Sequence, residues 1–419
     1  MQNFVGLGSN RKSTHLFQLI SLIIIIAALL FANLYRFSNY IAVPLFFAWI
    51  PYMFNHRQLL NKAESSYVIV SMLLLFLILF YRVLGLSDLN TGYILRNFNW
   101  IMAGVVSVFA LATFSSKELK KLFIAFTIIL ALYLVIIIRL GGSLLSSIEA
   151  DAAVVVTYTW MGSMFMLLSG FCLILVLHIK SVKFRVLAIV FFLLITYLNF
   201  FILQRGTTAI LTLAMLTLIV LLNFSNKIIN RIFIPIIIIF VSITVASTDL
   251  MVQFFDFLTE ISPSERLAVR FHQLSLAIQF SDIDASSGSF QSRAELIGIS
   301  WDTFTSSLQH FLVGVGAHRD DNTIIGNHSF IIDFLASYGI LGGVFILIYY
   351  LRQYQIMMAG LTKETNYTLF TQCLVVFVFY ILRNFYGSVS TSQTNFTILL
   401  YFPLLISIIL SYHKKPLTI

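Results

Sequence analysis

Charge is what this chain lacks most. Asp, Glu, Lys and Arg make up 10% of its 419 residues, while 59% are hydrophobic; soluble proteins carry about 25% charged residues. So few charges cannot cover a globular surface in water, and the strongly positive mean hydropathy is that of a membrane protein. Cysteine is nearly missing too. Cys172 and Cys373 both fall in apolar stretches, which excludes a disulfide framework and a cysteine-based metal cluster. No internal repeat suggests inverted halves.

Long apolar runs are what the chain has instead. Twelve windows, at residues 16–34, 40–54, 67–84, 98–114, 122–138, 154–177, 186–203, 207–223, 232–248, 329–350, 367–382 and 395–411, approach the roughly 20 residues that cross a hydrocarbon layer. They predict an all-α polytopic membrane protein of about 12 helices. The first window follows Arg11 and Lys12 and exceeds the cleavable core of a secretion signal, so a retained helix is expected. No window puts a charged residue near its middle, and no charged or polar central path is evident. Both absences count against an ion-coupled transporter or an exporter.

The basic residues sort by side. Alternate connections collect 16 of the 26 Lys and Arg against only Glu64, Glu118 and Glu364, a balance of +13; the opposite side holds 10 Arg against 14 acids, a balance of −4. The positive-inside rule places the first set, and both termini, in the cytoplasm. The net charge of +9 is thus topology, and no nucleic-acid partner is expected. All 11 lysines are on the cytoplasmic side, and the ten outer basic residues are all arginine. Arginine's planar fork matches phosphate oxygens; the other reading is chance combined with arginine's preference for interfaces.

The connection between the ninth and tenth windows divides the chain into 1–249, 250–327 and 328–419. Residues 250–327 hold nine acids and four arginines, and an insertion this long is usually functional. Two amphipathic helices are predicted in it. SPSERLAVRFHQLSLAIQF has Ser262, Pro263 and Glu265 as start signals, a stripe of Leu267, Phe271, Leu274 and Ile278, and Arg266 and Arg270 on the neighbouring face. SRAELIGISWDTFTSSLQHF repeats the device with Ser292 and Glu295, carries Arg293 in its first turn, and is expected to bury Ile297, Trp301, Phe304, Leu308 and Phe311. Such helices lie on a membrane surface or cap a cavity between spans.

Ionisable groups crowd the outer mouth: Arg205, Arg266, Arg270, Arg293, Arg319, His328, Asp320, Asp321 and Asp333. Arg205 sits in a tight turn between the seventh and eighth windows, as a headgroup anchor or a phosphate ligand. Arg293 at a helix start opposes the helix dipole, so a phosphate or a carboxylate such as Asp302 or Glu295 is expected beside it. His328 titrates near neutral pH and suits a general base, or serves as an interfacial structural histidine. Asp333 shares a helical face with Ser329 and is a local hydrogen-bond partner or a substrate ligand. Trp301, Tyr338 and Tyr386 are candidates for stacking sugars or for packing.

Gln204-Arg205-Gly206 opening the eighth helix, then SRAELIGISWDTFTSSLQHFLVGVG, then GNHSFIIDFLASYGILGG, resemble the bacterial O-antigen polymerase and O-antigen ligase superfamily over roughly residues 190–350. The resemblance implies a GT-C-like membrane glycosyltransferase with a large, partly helical periplasmic loop, working without metal or cofactor at the outer face of the inner membrane. It implies an undecaprenyl-diphosphate-linked oligosaccharide as donor, a chain-length regulator as a further partner, and Arg205, Arg293 and His328 as catalytic positions. Arg266, Arg270, Arg319 and Asp333 would join Arg205 and Arg293 in binding diphosphate and sugar. Two departures stand out: no arginine here begins the Arg-x10-Gly pattern of some polymerases, and Ser329, not Asn, follows His328. The expected activity is polymerisation of repeat units, with ligation of the polymer to lipid A-core as the alternative and a lipid-linked sugar flippase as the third reading.

Overall fold

The computed structural model describes residues 15–31, 38–84, 91–147, 152–179, 181–199, 206–223, 248–262, 265, 268–269, 271–272, 275, 291–316, 324–326, 329–359, 361, 367–385 and 392–413. Among them there is no strand. The helices are α1 (Leu16–Phe31), α2 (Ser38–His56), α3 (Lys62–Val83), α4 (Thr91–Thr113), α5 (Ser116–Ser147), α6 (Ala152–His178), α7 (Val182–Tyr197) and α8 (Gly206–Asn223). After them come α9 (Thr248–Glu260), α10 (Gln291–Thr305), α11 (Leu308–Val313), α12 (Phe330–Met357), α13 (Tyr367–Phe385), α14 (Ser392–Phe396) and α15 (Phe402–His413). A π-helical turn, Thr397–Tyr401, joins the last two. Pro403 offers no N–H to the Leu399 carbonyl, which favours that irregularity.

An α-helix satisfies its backbone internally, as hydrocarbon requires. Five helical stretches among the described residues are long and apolar enough to cross a membrane: Lys62–Val83, Ile94–Thr113, Ser116–Ile137, Phe330–Met357 and Tyr367–Phe385. Shorter apolar helices cover Leu16–Phe31, Gly162–His178 and Ile210–Asn223. The chain is therefore an all-helical membrane protein. A helix underlies each predicted window except 232–248, which lies outside the described residues apart from Thr248. Starts follow local chemistry: Asn61 caps α3 through the Ala63 and Glu64 N–H groups while Glu64 accepts from the Asn61 N–H at 2.8 Å, a capping box. Ser115 and Glu118 begin α5 in the same way.

Packing forms two groups around a shared centre. α1 packs on α2, α2 on α4 and α4 on α3, with α5 against α1, and α6, α7, α8 and α13 form the second group. The α14–π–α15 segment runs between them, touching α1, α4 and α6, while α12 lies against α3 and α13. Large aromatics fill the centre, with Trp49, Trp100, Tyr67, Tyr349, Phe171 and Phe402 fully buried. Outward faces stay apolar, as at Ile69, Phe76 and Phe80 of α3, which suits lipid and not water.

The insertion departs from its sequence reading in two ways. α9 is a helix the periodicity did not announce; its Phe255 stacks on Phe271, and Asp256 accepts the Ser275 hydroxyl at 2.6 Å. The second predicted helix is not continuous. α10 ends at Thr305, and Ser307 caps α11 by accepting the His310 N–H. Phe304 is buried, whereas Trp301, Leu308 and Phe311 are exposed, so the expected burial of those three is corrected.

Candidate functional site

The insertion meets the membrane bundle at the first turns of α12. Ser329 caps that helix by accepting the Ile332 N–H, and the Ser329 N–H donates to Asp333 Oδ2 at 2.9 Å. The other carboxylate oxygen, Oδ1, accepts the Ser300 hydroxyl of α10 at 2.6 Å. Ser300 Oγ in turn accepts the Gly326 N–H at 2.9 Å, and Thr303 donates to the Ile324 carbonyl at 2.6 Å. One carboxylate thus gathers α10, the 324–326 segment and the start of α12. An apolar knot of Phe304, Ile325 and Ala336 closes the junction beneath it.

Six residues beyond Asp333, α12 breaks. Gly339 has φ 62° and ψ −163°, a left-handed backbone position that disfavours residues with a Cβ, and a Cβ there would collide with the Leu312 backbone. The break frees the Ala336 and Ser337 carbonyls, which accept the Val315 and Gly316 N–H groups at 3.0 and 2.9 Å. Tyr81 of α3 donates its hydroxyl to the Val313 carbonyl and sets its ring edge-on to Tyr338. Gly314 and Gly316, both at positive φ, shape this contact. Their peptide groups dock on an interrupted transmembrane helix.

The predicted residues fall unevenly around this junction. Asp333 is at its centre, with both oxygens occupied as above. Arg293 is in the first turn of α10, its side chain outside the described residues, and Arg205, Arg266, Arg270, Arg319, Asp320, Asp321 and His328 lie outside them altogether. Gly326 presses against the Leu296 carbonyl, where a Cβ would clash, and Leu296 is one helical turn beyond Arg293. Arg205 immediately precedes Gly206 at the start of α8, which packs on α6 and α13 and not within the α10–α12 junction; Asn199 holds α7 to α8 by donating to Thr212 at 2.8 Å. Of the proposed sugar-stacking aromatics, Tyr338 is buried between Tyr81 and Phe334, Trp301 is half exposed, and Tyr386 is outside the described residues.

The sequence reading missed a polar cluster inside the bundle. Asn395 Oδ1 accepts from Tyr349 Oη at 3.1 Å and from Gln353 Nε2 at 2.9 Å, while its Nδ2 donates to the Trp100 carbonyl at 2.7 Å. Tyr67 donates to Tyr349 at 2.9 Å, and Gln393 donates to the Leu29 carbonyl at 2.5 Å. Arg383, in the last turn of α13, is buried as well. The cluster on Asn395 is uncharged. Its only sequence signal was the run Thr391-Ser-Gln-Thr-Asn395 entering an apolar window. Among the described residues no three His, Cys, Asp or Glu side chains converge as metal ligands would. No family model and no curated protein matches the chain in sequence.

Proposed function

We propose that the chain is a membrane glycosyltransferase of the O-antigen polymerase type, with about twelve spans in a GT-C-like arrangement and both termini in the cytoplasm of a bacterial cell. It transfers the growing glycan from one undecaprenyl diphosphate to a repeat unit carried on another, at the outer face of the inner membrane. The sugar C1–O bond to the diphosphate breaks, with its electron pair leaving on the phosphate. A new C1–O bond forms to the acceptor hydroxyl, whose proton passes to His328. Arg205 and Arg293 grip the departing diphosphate more strongly as its charge grows, which lowers the barrier, with Arg266, Arg270 and Arg319 as further anion ligands. His328 orients or deprotonates the hydroxyl.

One observation supports the reading above the others. The helix that carries Arg293 is fastened through Ser300 to Asp333, in the first turn of the helix that follows His328. The bond joins two segments whose motif residues, Arg293 and His328, are separated by 34 others in the sequence, which supports a single shared site.

Glycan analysis of a deletion strain tests the activity. Single repeat units on lipid A-core are expected; free lipid-linked polymer would identify a ligase, and absence of both a flippase. In the complemented strain Arg205→Lys and Arg293→Lys should make no long chains, because an ammonium cannot replace the bidentate fork. His328→Ala should be severe and His272→Ala, His310→Ala and His318→Ala mild. Full activity in both lysine variants removes the diphosphate assignment, and the reverse ranking of histidines removes the base.

A further inference from the structure

The exposed side chains of α11 have no place in a helix lying in water. Leu308 is 74% and Leu312 47% exposed, and Phe311 and Val313 are open as well. Four apolar residues in a six-residue helix face outward, next to the apolar knot that takes in Phe304.

Depth can be read from the helices α11 touches. Its end lies against Gly339, 13 residues before Arg352, whose guanidinium donates to Ser66 of α3 at 2.9 Å. At 1.5 Å per residue that separation is about 20 Å, whereas the hydrocarbon layer is about 30 Å thick. α3 gives the same answer: Tyr81, bonded to the Val313 carbonyl, is 15 residues from Ser66, about 22 Å. With Arg352 marking one boundary, α11 sits about 10 Å inside the other.

Hydrocarbon favours irregular backbone whose polar groups find partners within the protein, and the polar side chains at the tip between α10 and α11 turn back onto the chain. Thr305 donates to the Trp301 carbonyl at 3.0 Å and Ser306 to the Thr303 carbonyl at 2.8 Å. Ser307 accepts the His310 N–H at 3.1 Å, and the His310 ring pairs with Ser306 at 2.7 Å. The Val315 and Gly316 N–H groups meet the two carbonyls that the α12 break releases. Gln309 and Arg82, both exposed, are long enough to carry their polar ends towards the headgroups.

The outward face also continues a lipid-facing surface. α12 exposes Ile340, Leu341, Val344 and Leu347 just below the break, and α3 exposes Phe80 and Val83 beside Tyr81. We infer that α11 is a re-entrant membrane segment, its Leu308, Phe311 and Leu312 seated among the acyl chains of the leaflet at the Phe330 end of α12. α10 then stands at a fixed height, with one end in the lipid and the other at the water interface. The inference holds whatever reaction the chain performs.

Site-directed fluorescence in nanodiscs tests it. In a full-length Cys172→Ala, Cys373→Ala background, Leu308→Cys and Leu312→Cys are each labelled with a bimane. Leu347→Cys, 59% exposed in mid-α12, is the lipid reference, and Lys117→Cys at the start of α5 is the water reference. Phosphatidylcholine brominated on its acyl chains should quench both α11 labels as deeply as the Leu347 label, while aqueous iodide should leave them as bright as that label. Quenching by iodide to the level of the Lys117 label would overturn the inference by placing α11 in water. Insensitivity to both quenchers would also overturn it, because another protein surface would then cover the face. Two label sites on one short helix guard against local misfolding at either.

Discussion

At the scale of single residues, Asp333 explains more of the junction than any charged group near it. Its oxygens hold the Ser300 hydroxyl and the Ser329 N–H, and Ser329 is fully buried. Asp333→Ala leaves both donors without their acceptor, at a cost of about 1–3 kcal/mol for each stranded buried group. Asp333→Asn costs less, since an amide oxygen can accept from Ser329 while its NH2 donates to Ser300. Thermal unfolding of the purified protein should rank native above Asn above Ala, and chain synthesis should follow the same order. A native unfolding temperature with no activity in Asp333→Asn would instead give the charge a direct part in the chemistry. The Ser329–Asp333 pairing was legible in sequence because the two are four residues apart on one helical face. The bond to Ser300 was not, because no local pattern links positions 33 residues apart.

At the scale of elements, the broken helix α12 and the split of α10 from α11 are one device. Were α12 straight, the Ile340 and Leu341 N–H groups would take the Ala336 and Ser337 carbonyls, and Val315 and Gly316 would lose their acceptors. Gly339→Ala pushes towards that state: its left-handed backbone costs a residue with a Cβ about 1–2 kcal/mol, and the methyl collides with the Leu312 backbone. The variant should melt lower than the native protein and become newly cleavable by protease between Thr305 and Gly316. Gly298→Ala in α10, where a Cβ meets nothing within 4 Å, should be neutral or slightly stabilising; equal behaviour of the two variants would show that the break is not needed. Hydropathy could not reveal the break, because SYGILGG is as apolar bent as straight. Nor could helical periodicity, which runs on through Ser306 and Ser307 although their side chains turn back onto the chain.

At the scale of the whole molecule, the apolar windows were legible because each is decided by its own composition. What joins the helices was not. Asn395, Tyr67 and the Tyr349 and Gln353 side chains lie far apart in the sequence, and only the fold brings them together, uniting α14, α12, α4 and α3 around one amide. Arg205, Arg293 and His328 were read from motifs. A buried amide with three partners should bind the bundle more tightly than any pairwise bond. Interhelical hydrogen bonds in membranes average about 0.6 and reach about 1.7 kcal/mol, and Tyr67→Phe, which removes one, should fall near the average. Asn395→Leu takes the acceptor from the Tyr349 O–H and the Gln353 amide and one donor from the Trp100 carbonyl at once, with no water to replace it, and should exceed the upper figure. Unfolding of each variant in mixed SDS and neutral detergent micelles measures the difference. If Asn395→Leu costs no more than Tyr67→Phe, the helices are held by aromatic packing such as Trp100 against Tyr349 and Phe330, and the amide is incidental to it.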